Sequence, residues 1–196
     1  GRYQPVDDIV NLDSPKWDAT RDLMEDFVLN GKHYCAFYEI SINNLFYYRT
    51  SIVNDLGVED PRTMFEEGRW DWDAFLDMAR KFQQSGEGKY VVDGYGTEQD
   101  FLLSTGTPMI GNENGVIVNN LRDPAVERAE NLMLKVLQEE NLRYPRHELN
   151  SWSINPKGFA DGNILFYANG GTWEWESTIS KFAKKYAWDE NEIQVV

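Results

Sequence analysis

Apolar positions along the chain switch between two periods, and the switch separates helices from strands. Behind Ser14-Pro15, where a proline suits a first helical turn, Leu23, Met24, Phe27 and Val28 fall on one helical face, and Gly31 is placed to end it. Behind Asp71, a capping residue, Trp72, Phe75, Leu76, Ala79 and Phe82 repeat that spacing, with Asp73, Asp77, Arg80 and Lys81 on the other side. A third helix runs from Asp123-Pro124 to Asn141 and turns Val126, Ala129, Met133, Val136 and Leu137 inward. Between them, Tyr34 to Tyr38, Leu45 to Tyr48 and Ile164 to Ala168 are short apolar runs that read as strands. Polar residues Glu39 to Asn44 separate the first two runs, as suits a chain crossing between two lobes. Strands between helices predict an α/β fold. Tyr3 to Leu12 reads as loop, and Ser85 to Lys89 and Gly111 to Gly115 as connections.

The stretch Phe159 to Trp175, FADGNILFYANGGTWEW, carries the most information. Its apolar run breaks at Asn169-Gly170-Gly171, a turn tolerant of positive φ, and Thr172 can cap a helix running to about Tyr186. Ligands of α/β sheets sit at the carboxyl ends of strands, which puts Trp173 at a binding position. Core anchoring is the competing use of both indoles, and it weighs more for Trp175.

At 196 residues, 41% hydrophobic and 14% aromatic, the chain can bury a core. No apolar run approaches the ~18 to 20 residues that cross a bilayer, and GRYQPVDD has neither the basic start nor the apolar centre of an export signal. Gly1 is no initiator and Glu192 to Val196 is a β-type run, so a piece of a larger protein is expected. Nineteen basic against thirty-three acidic side chains give a charge of −14, which repels nucleic-acid phosphates and anionic membranes. Cys35 alone excludes an internal disulfide and a thiolate zinc cluster, and among Tyr34, Ala36 and Phe37 it reads as a buried thiol.

Catalytic signatures are missing. His33 and His147 sit in no nucleophile or metal-ligand spacing, and Cys35 has no nucleophile-elbow context. Asp93-Gly94-Tyr95-Gly96 lacks the third glycine of a dinucleotide fingerprint and reads as a strand-to-loop turn. Asn112-Glu113-Asn114-Gly115 places its glycine too early for a calcium loop and reads as a polar turn. Paired acids about 5 Å apart would serve a glycosidase, yet thirty-three acids always offer a pair. What remains is an excess of Trp, Tyr and Phe beside Asn, Asp, Glu and Ser near strand ends. Flat apolar faces and hydroxyl partners are the chemistry of sugar recognition. One buried stack contributes roughly 1.5 to 3 kcal/mol, whereas micromolar binding needs about 8 kcal/mol, so several hydrogen bonds must surround it.

The sequence resembles the family 1 extracellular solute-binding proteins of bacterial ATP-driven sugar importers, the group of the maltose-binding proteins. The resemblance covers nearly the whole chain. Asn30-Gly31-Lys32-His33-Tyr34 is similar to the family's "nGk.Y", Leu45-Phe46-Tyr47-Tyr48-Arg49 to "l.YNk", and Arg69 to Phe75 to "WTwdeF". Gly115 to Val126 resembles the segment before the family's long helix, and Phe159 to Trp175 resembles "F..GkaaM..nGpWaw". The resemblance implies a periplasmic-binding-protein-like type II lobe, with helices packed on a mixed, mostly parallel sheet. Residues 1–44 would be the end of a first lobe and its hinge-crossing strand, and 45–196 most of the second lobe. It further implies a non-catalytic monomer without cofactor or metal, closing on a sugar or oligosaccharide and presenting it to an ABC-type membrane permease. Its place would be extracellular, as a cell-surface lipoprotein or periplasmic protein. The family's stacking tryptophan falls on Trp173, and the crossing segment places Glu39, Ser41 and Asn43 near the cleft, with Asn169 a further hydroxyl partner. Trp70 and Trp72 fall at a helix start in the core. Two departures stand out: Tyr48 replaces the Asn of "YNk", and Gly171-Thr172 replaces Gly-Pro. Competing readings are a carbohydrate-active enzyme of the glycoside hydrolase kind, and the same fold binding a peptide, or a polyamine through Glu39, Glu174 and Glu176.

Overall fold

The structure is a computed structural model that describes residues 3–39, 45–145, 154–168, 175–189 and 191–196. After a 3-10 turn at Pro15–Trp17 come helix α1 (Arg21–Glu25), strands β1 (Val28–Leu29), β2 (Lys32–His33) and β3 (Phe46–Arg49), and helices α2 (Thr50–Leu56), α3 (Pro61–Glu66) and α4 (Trp72–Gln84). Strand β4 (Tyr90–Asp93), helix α5 (Thr97–Leu103), strands β5 (Ile110–Glu113) and β6 (Val116–Asn119) and helix α6 (Pro124–Leu134) follow. Helix α7 (Pro156–Ala160), strand β7 (Ile164–Ala168), helix α8 (Ser180–Tyr186) and strand β8 (Ile193–Val195) complete the order. Wider π-type turns extend α6 over Lys135–Glu139 and lead into α8 over Trp175–Ile179. The chain packs as two units, residues 1–41 with 105–127, and residues 42–104 with 128–196. Residues 105–127 therefore associate with the amino-terminal segment, where sequence reading groups them with 45–196.

Two Asn-Gly dipeptides build the first unit. Asn30 and Gly31 both hold positive φ, 51° and 69°, and form the two-residue loop that pairs Val28 with His33 and Leu29 with Lys32. Positive φ at both loop positions matches the twist of paired strands. Gly31 is thus a hairpin residue, not a helix end. The helix expected behind Ser14-Pro15 shortens to the 3-10 turn and α1, because strand pairing withdraws Val28. Met24 is buried while Leu23 and Phe27 are exposed. The expected strand Tyr34 to Tyr38 is not one, since pairing stops at His33, and Cys35 is half-buried rather than buried.

Asn114 and Gly115, at φ 54° and 82°, repeat the device between β5 and β6. The stretch Gly111 to Gly115 is therefore a hairpin rather than a plain connection. Asn112 Oδ1 accepts from the Gly115 N–H at 2.9 Å, which makes Asn112 to Gly115 the polar turn the sequence suggests. The Asn112 amide also donates to the carbonyls of Asp26 and Val28, at 2.9 and 2.8 Å, and clasps one hairpin to the other. His33 closes this unit. Its Nδ1 lies 2.9 Å from Asp7 Oδ1 and its Nε2 3.4 Å from Glu25 Oε1, while its N–H donates to Asp7 Oδ2 at 3.1 Å.

The second unit holds a four-stranded sheet in the order β4-β7-β3-β8. Among these four strands β4 and β7 run parallel, and β3 is antiparallel to both β7 and β8. The sheet is mixed, as expected, but mostly antiparallel. Parallel neighbours need a crossover connection, and β3 enters β7's other side from the opposite direction. Asp71 Oδ1 caps α4 by accepting from the Ala74 N–H at 2.9 Å, and the helix buries Phe75, Leu76, Met78, Ala79 and Phe82. Phe46, Trp70, Phe75 and Phe166 meet with ring centroids 5.7 to 6.4 Å apart. Phe75 and Phe166 are buried, and a fully buried ring contributes roughly 1.5 to 3 kcal/mol, while Phe46 and Trp70 pack half-buried against them. Trp70 thus serves the core, and Trp72 is half-buried, its Nε1 donating to Ser104 Oγ at 3.1 Å. Tyr48 is fully buried and donates its hydroxyl to Asp60 Oδ1 at 2.8 Å. The same Asp60 oxygen caps α3 through the N–H groups of Arg62 and Thr63. Burial, then Asp60, push the Tyr48 phenol well above its ordinary range. The tyrosine that departs from the family pattern is a core anchor, not a pocket residue.

The Asp7 hydrogen bond raises the His33 pKa above its ordinary 6.5, and the same bond holds Asp7 below 3.8. His33 then contributes full stability below pH 6.5 and loses it as pH rises through the raised value, whereas Asp7 contributes above pH 3.8 and loses it as pH falls through the lowered one. Asp7→Asn should return the His33 pKa toward 6.5 in an NMR ring titration and remove the stability gained at pH 5.5 over pH 8; an unchanged His33 pKa would refute the pairing.

Candidate functional site

The carboxyl ends of parallel strands gather polar groups on one edge of the second unit. Val92 stands opposite Phe166 and Asp93 opposite Tyr167 where β4 runs beside β7. On the other side of β4, Leu142 to Tyr144 runs parallel as well: Leu142 O accepts from Val91 N–H at 2.6 Å and Tyr144 N–H donates to Val92 O at 3.0 Å. Three segments therefore end together, at Tyr144, at Asp93 and at Ala168.

Gly94 turns β4 away from the sheet at φ 144°, a conformation closed to L side chains. A Cβ there would stand 1.5 Å from Ala168 O. Thr97 Oγ1 donates to Gly94 O at 3.1 Å and fixes the turn, so Asp93-Gly94-Tyr95-Gly96 is the strand-to-loop turn read from sequence. Asp93 is fully buried and accepts from the Asn155 N–H, while Tyr95 beside it is 38% exposed. Asn155 in turn caps α7, its Oδ1 accepting from Gly158 N–H at 2.8 Å.

Arg143 has the most unusual surroundings. Its side chain is 11% exposed, and Nη1 donates to the Glu98 carboxylate. Nε and Nη2 are buried and have no hydrogen-bond partner among the described residues. A buried polar group without a partner costs roughly 1–3 kcal/mol, so two on one side chain are rare. Asp100, two residues beyond Glu98 on α5, carries a further buried oxygen, Oδ1, without a partner. Burial first, and the neighbouring Glu98 second, push its pKa up to about 7.

Of the site residues expected from sequence, Glu39 is exposed and lies in the first unit. Ser41, Asn43, Asn169 and Trp173 lie outside the described residues, as do His147, Thr172 and Glu174. Glu176 and Trp175 are exposed, the latter at 43%, which removes Trp175 from the core. The sequence reading missed Arg143, Glu98 and Asp100. Arg143 and Glu98 stand 45 positions apart, and only the pairing of Leu142 to Tyr144 with β4 brings them together. A shallow hollow of about 190 Å³ opens between α2 and α4, at the amino end of β4, and is lined by Ile52, Leu56, Phe82 and Lys89. Asp55 and Ser85 line it too; the Lys89 amine donates to Gly162 O at 2.6 Å and the Ser85 hydroxyl to Phe82 O at 2.7 Å. Among the described residues, no group of three His, Cys, Asp or Glu could hold a metal ion, and no helix is long and apolar enough to cross a membrane.

Gly94→Ala should separate β4 from β7 and cost more than about 4 kcal/mol in urea unfolding, because a methyl group cannot share space with a carbonyl oxygen; near-wild-type stability would contradict this packing. Asp100 keeps its proton in the fold between pH 3.8 and about 7 while the unfolded chain loses it, so stability falls as pH rises through that window. Asp100→Asn should flatten the fall in thermal unfolding at pH 4, 5.5 and 7.5.

The sequence profile of bacterial extracellular solute-binding proteins matches residues 2–189. No curated protein matches the chain. In fold the chain is similar to UgpB from Mycobacterium tuberculosis in complex with glycerophosphocholine, at 16% identity and TM-score 0.58, over 99% of this chain and 46% of that one. It is similar to the substrate-binding protein Lmo0181 from Listeria monocytogenes in complex with cycloalternan, at 13% identity and TM-score 0.60, over 98% and 46%. Maltose-bound MalE3 from T. maritima is a third, at 17% identity and TM-score 0.59, over 99% and 47%. The chain thus spans under half the length of these solved structures, and at such identities the likeness concerns the fold. The profile match covers nearly all of the sequence, and by it this chain belongs to the bacterial extracellular solute-binding proteins.

Proposed function

We propose that this chain is the greater part of one lobe, with the hinge, of a two-lobe receptor that binds a sugar and hands it to an ABC-type permease. Membership of the solute-binding family carries this reading. It is supported by the polar carboxyl edge of β4 and β7, from which the chain leads directly into Asn169 and Trp173. Trp173 is the stacking platform, and Glu39, Ser41, Asn43 and Asn169 bond the sugar hydroxyls. Closure of the two lobes signals occupancy. The receptor is a non-catalytic monomer held outside the cell, as a lipoprotein or in the periplasm. Cycloalternan and maltose occupy two of the solved relatives, which favours a saccharide as cargo.

The test is calorimetry on the complete protein with mono- and oligosaccharides, maltose and cycloalternan among them, and recovery of the sugar afterwards. Saturable binding with the sugar intact is expected. Cleaved sugar would move the protein to the glycoside hydrolases, and no heat with any saccharide would end the reading. Trp173→Ala should weaken binding tenfold or more, about 1.4 kcal/mol, with the fold unchanged.

A further inference from the structure

Arg143 carries a guanidinium edge for which the described residues supply no acceptor. Guanidinium Nε and one terminal nitrogen lie on a shared edge, with two N–H bonds held parallel in a rigid fork. Here Glu98 takes Nη1, and the partnerless atoms are Nε and Nη2, the two nitrogens of that edge. The fork is thus intact, desolvated and oriented by an ion pair. It stands at the end of Leu142 to Tyr144, beside Val92, on the edge that also carries Asp93 and the exposed Tyr95. We propose that this fork is a sugar subsite, donating two parallel hydrogen bonds to the oxygens of adjacent hydroxyls on a neutral saccharide.

A carboxylate or a phosphate also matches a fork, and charge decides between them. Glu98 already neutralises the guanidinium. An anion would be placed beside the Glu98 carboxylate in a chain of net charge −14. Two neutral hydroxyls accept the same two bonds without that repulsion, and they keep their own protons for further acceptors.

The inference rests on the saccharide reading above, and its experiment separates the two. The complete protein and its Arg143→Lys variant are titrated with maltose, cycloalternan, glycerophosphocholine and inorganic phosphate. Lysine keeps the charge and the Glu98 pair but has no fork. Tenfold or greater loss of saccharide affinity in Arg143→Lys, at unchanged melting temperature, is expected. Equal saccharide affinity in the two proteins would overturn the subsite and leave the saccharide reading standing. Binding of glycerophosphocholine or phosphate in place of saccharides, lost in Arg143→Lys, would overturn the neutral ligand, and no binding by the parent of any probe would overturn both readings. Glu98→Gln supplies an independent measure: with the fork no longer neutralised, phosphate affinity should rise at least tenfold over the parent, and no rise would contradict the charge balance.

Discussion

Strand β7 has no exposed position, and the second unit is arranged around that constraint. All five residues from Ile164 to Ala168 are buried, so every backbone donor and acceptor needs a strand neighbour and every side chain an apolar one. β3 supplies pairing on one side and β4 on the other. Phe166 joins the rings of Phe46, Phe75 and Trp70, while Tyr167 stacks with Phe159 at 5.6 Å. A strand held this firmly fixes where its carboxyl end emerges. The close approach of Gly94 to Ala168 follows, since β4 must turn away without lifting from the ladder.

The polar edge is the electrostatic counterpart of that rigidity. Arg49 and Arg80 of the same unit are well bonded: Arg49 is shared among Glu192, Ala160 O and Ser51, and Arg80 is bound twice by Glu140. The partially used Arg143 stands out against that background. Arg49 spends its donors within the fold, whereas Arg143 keeps one edge without an acceptor among the described residues.

Helix α4 and strand β7 were legible in the sequence, because a capping Asp71 and a run of five buried residues are local signals. The role of Tyr48 was not legible, because its Asp60 partner lies twelve positions away across a helix start. The hairpins were legible and passed over: Asn30-Gly31 and Asn114-Gly115 are the strongest short-range turn signals in the chain, but apolar residues before Gly31 also fit a helical face. Sheet direction was not legible, since an apolar run of four or five residues looks alike in parallel and antiparallel company. The Arg143 and Glu98 pair was hidden for a different reason, being a product of tertiary pairing between distant segments.

The division of the chain into units has a consequence for how it is made. The first unit needs both its amino-terminal segment and residues 105–127, and the Asn112 clasp that joins its hairpins lies in the later segment. On the ribosome the amino-terminal part emerges first and waits, its hairpin unclasped, until the segment that completes it is synthesised. Parts of the second unit lie between, so neither unit can be released by a single cut, and the order of synthesis is interleaved with the order of assembly.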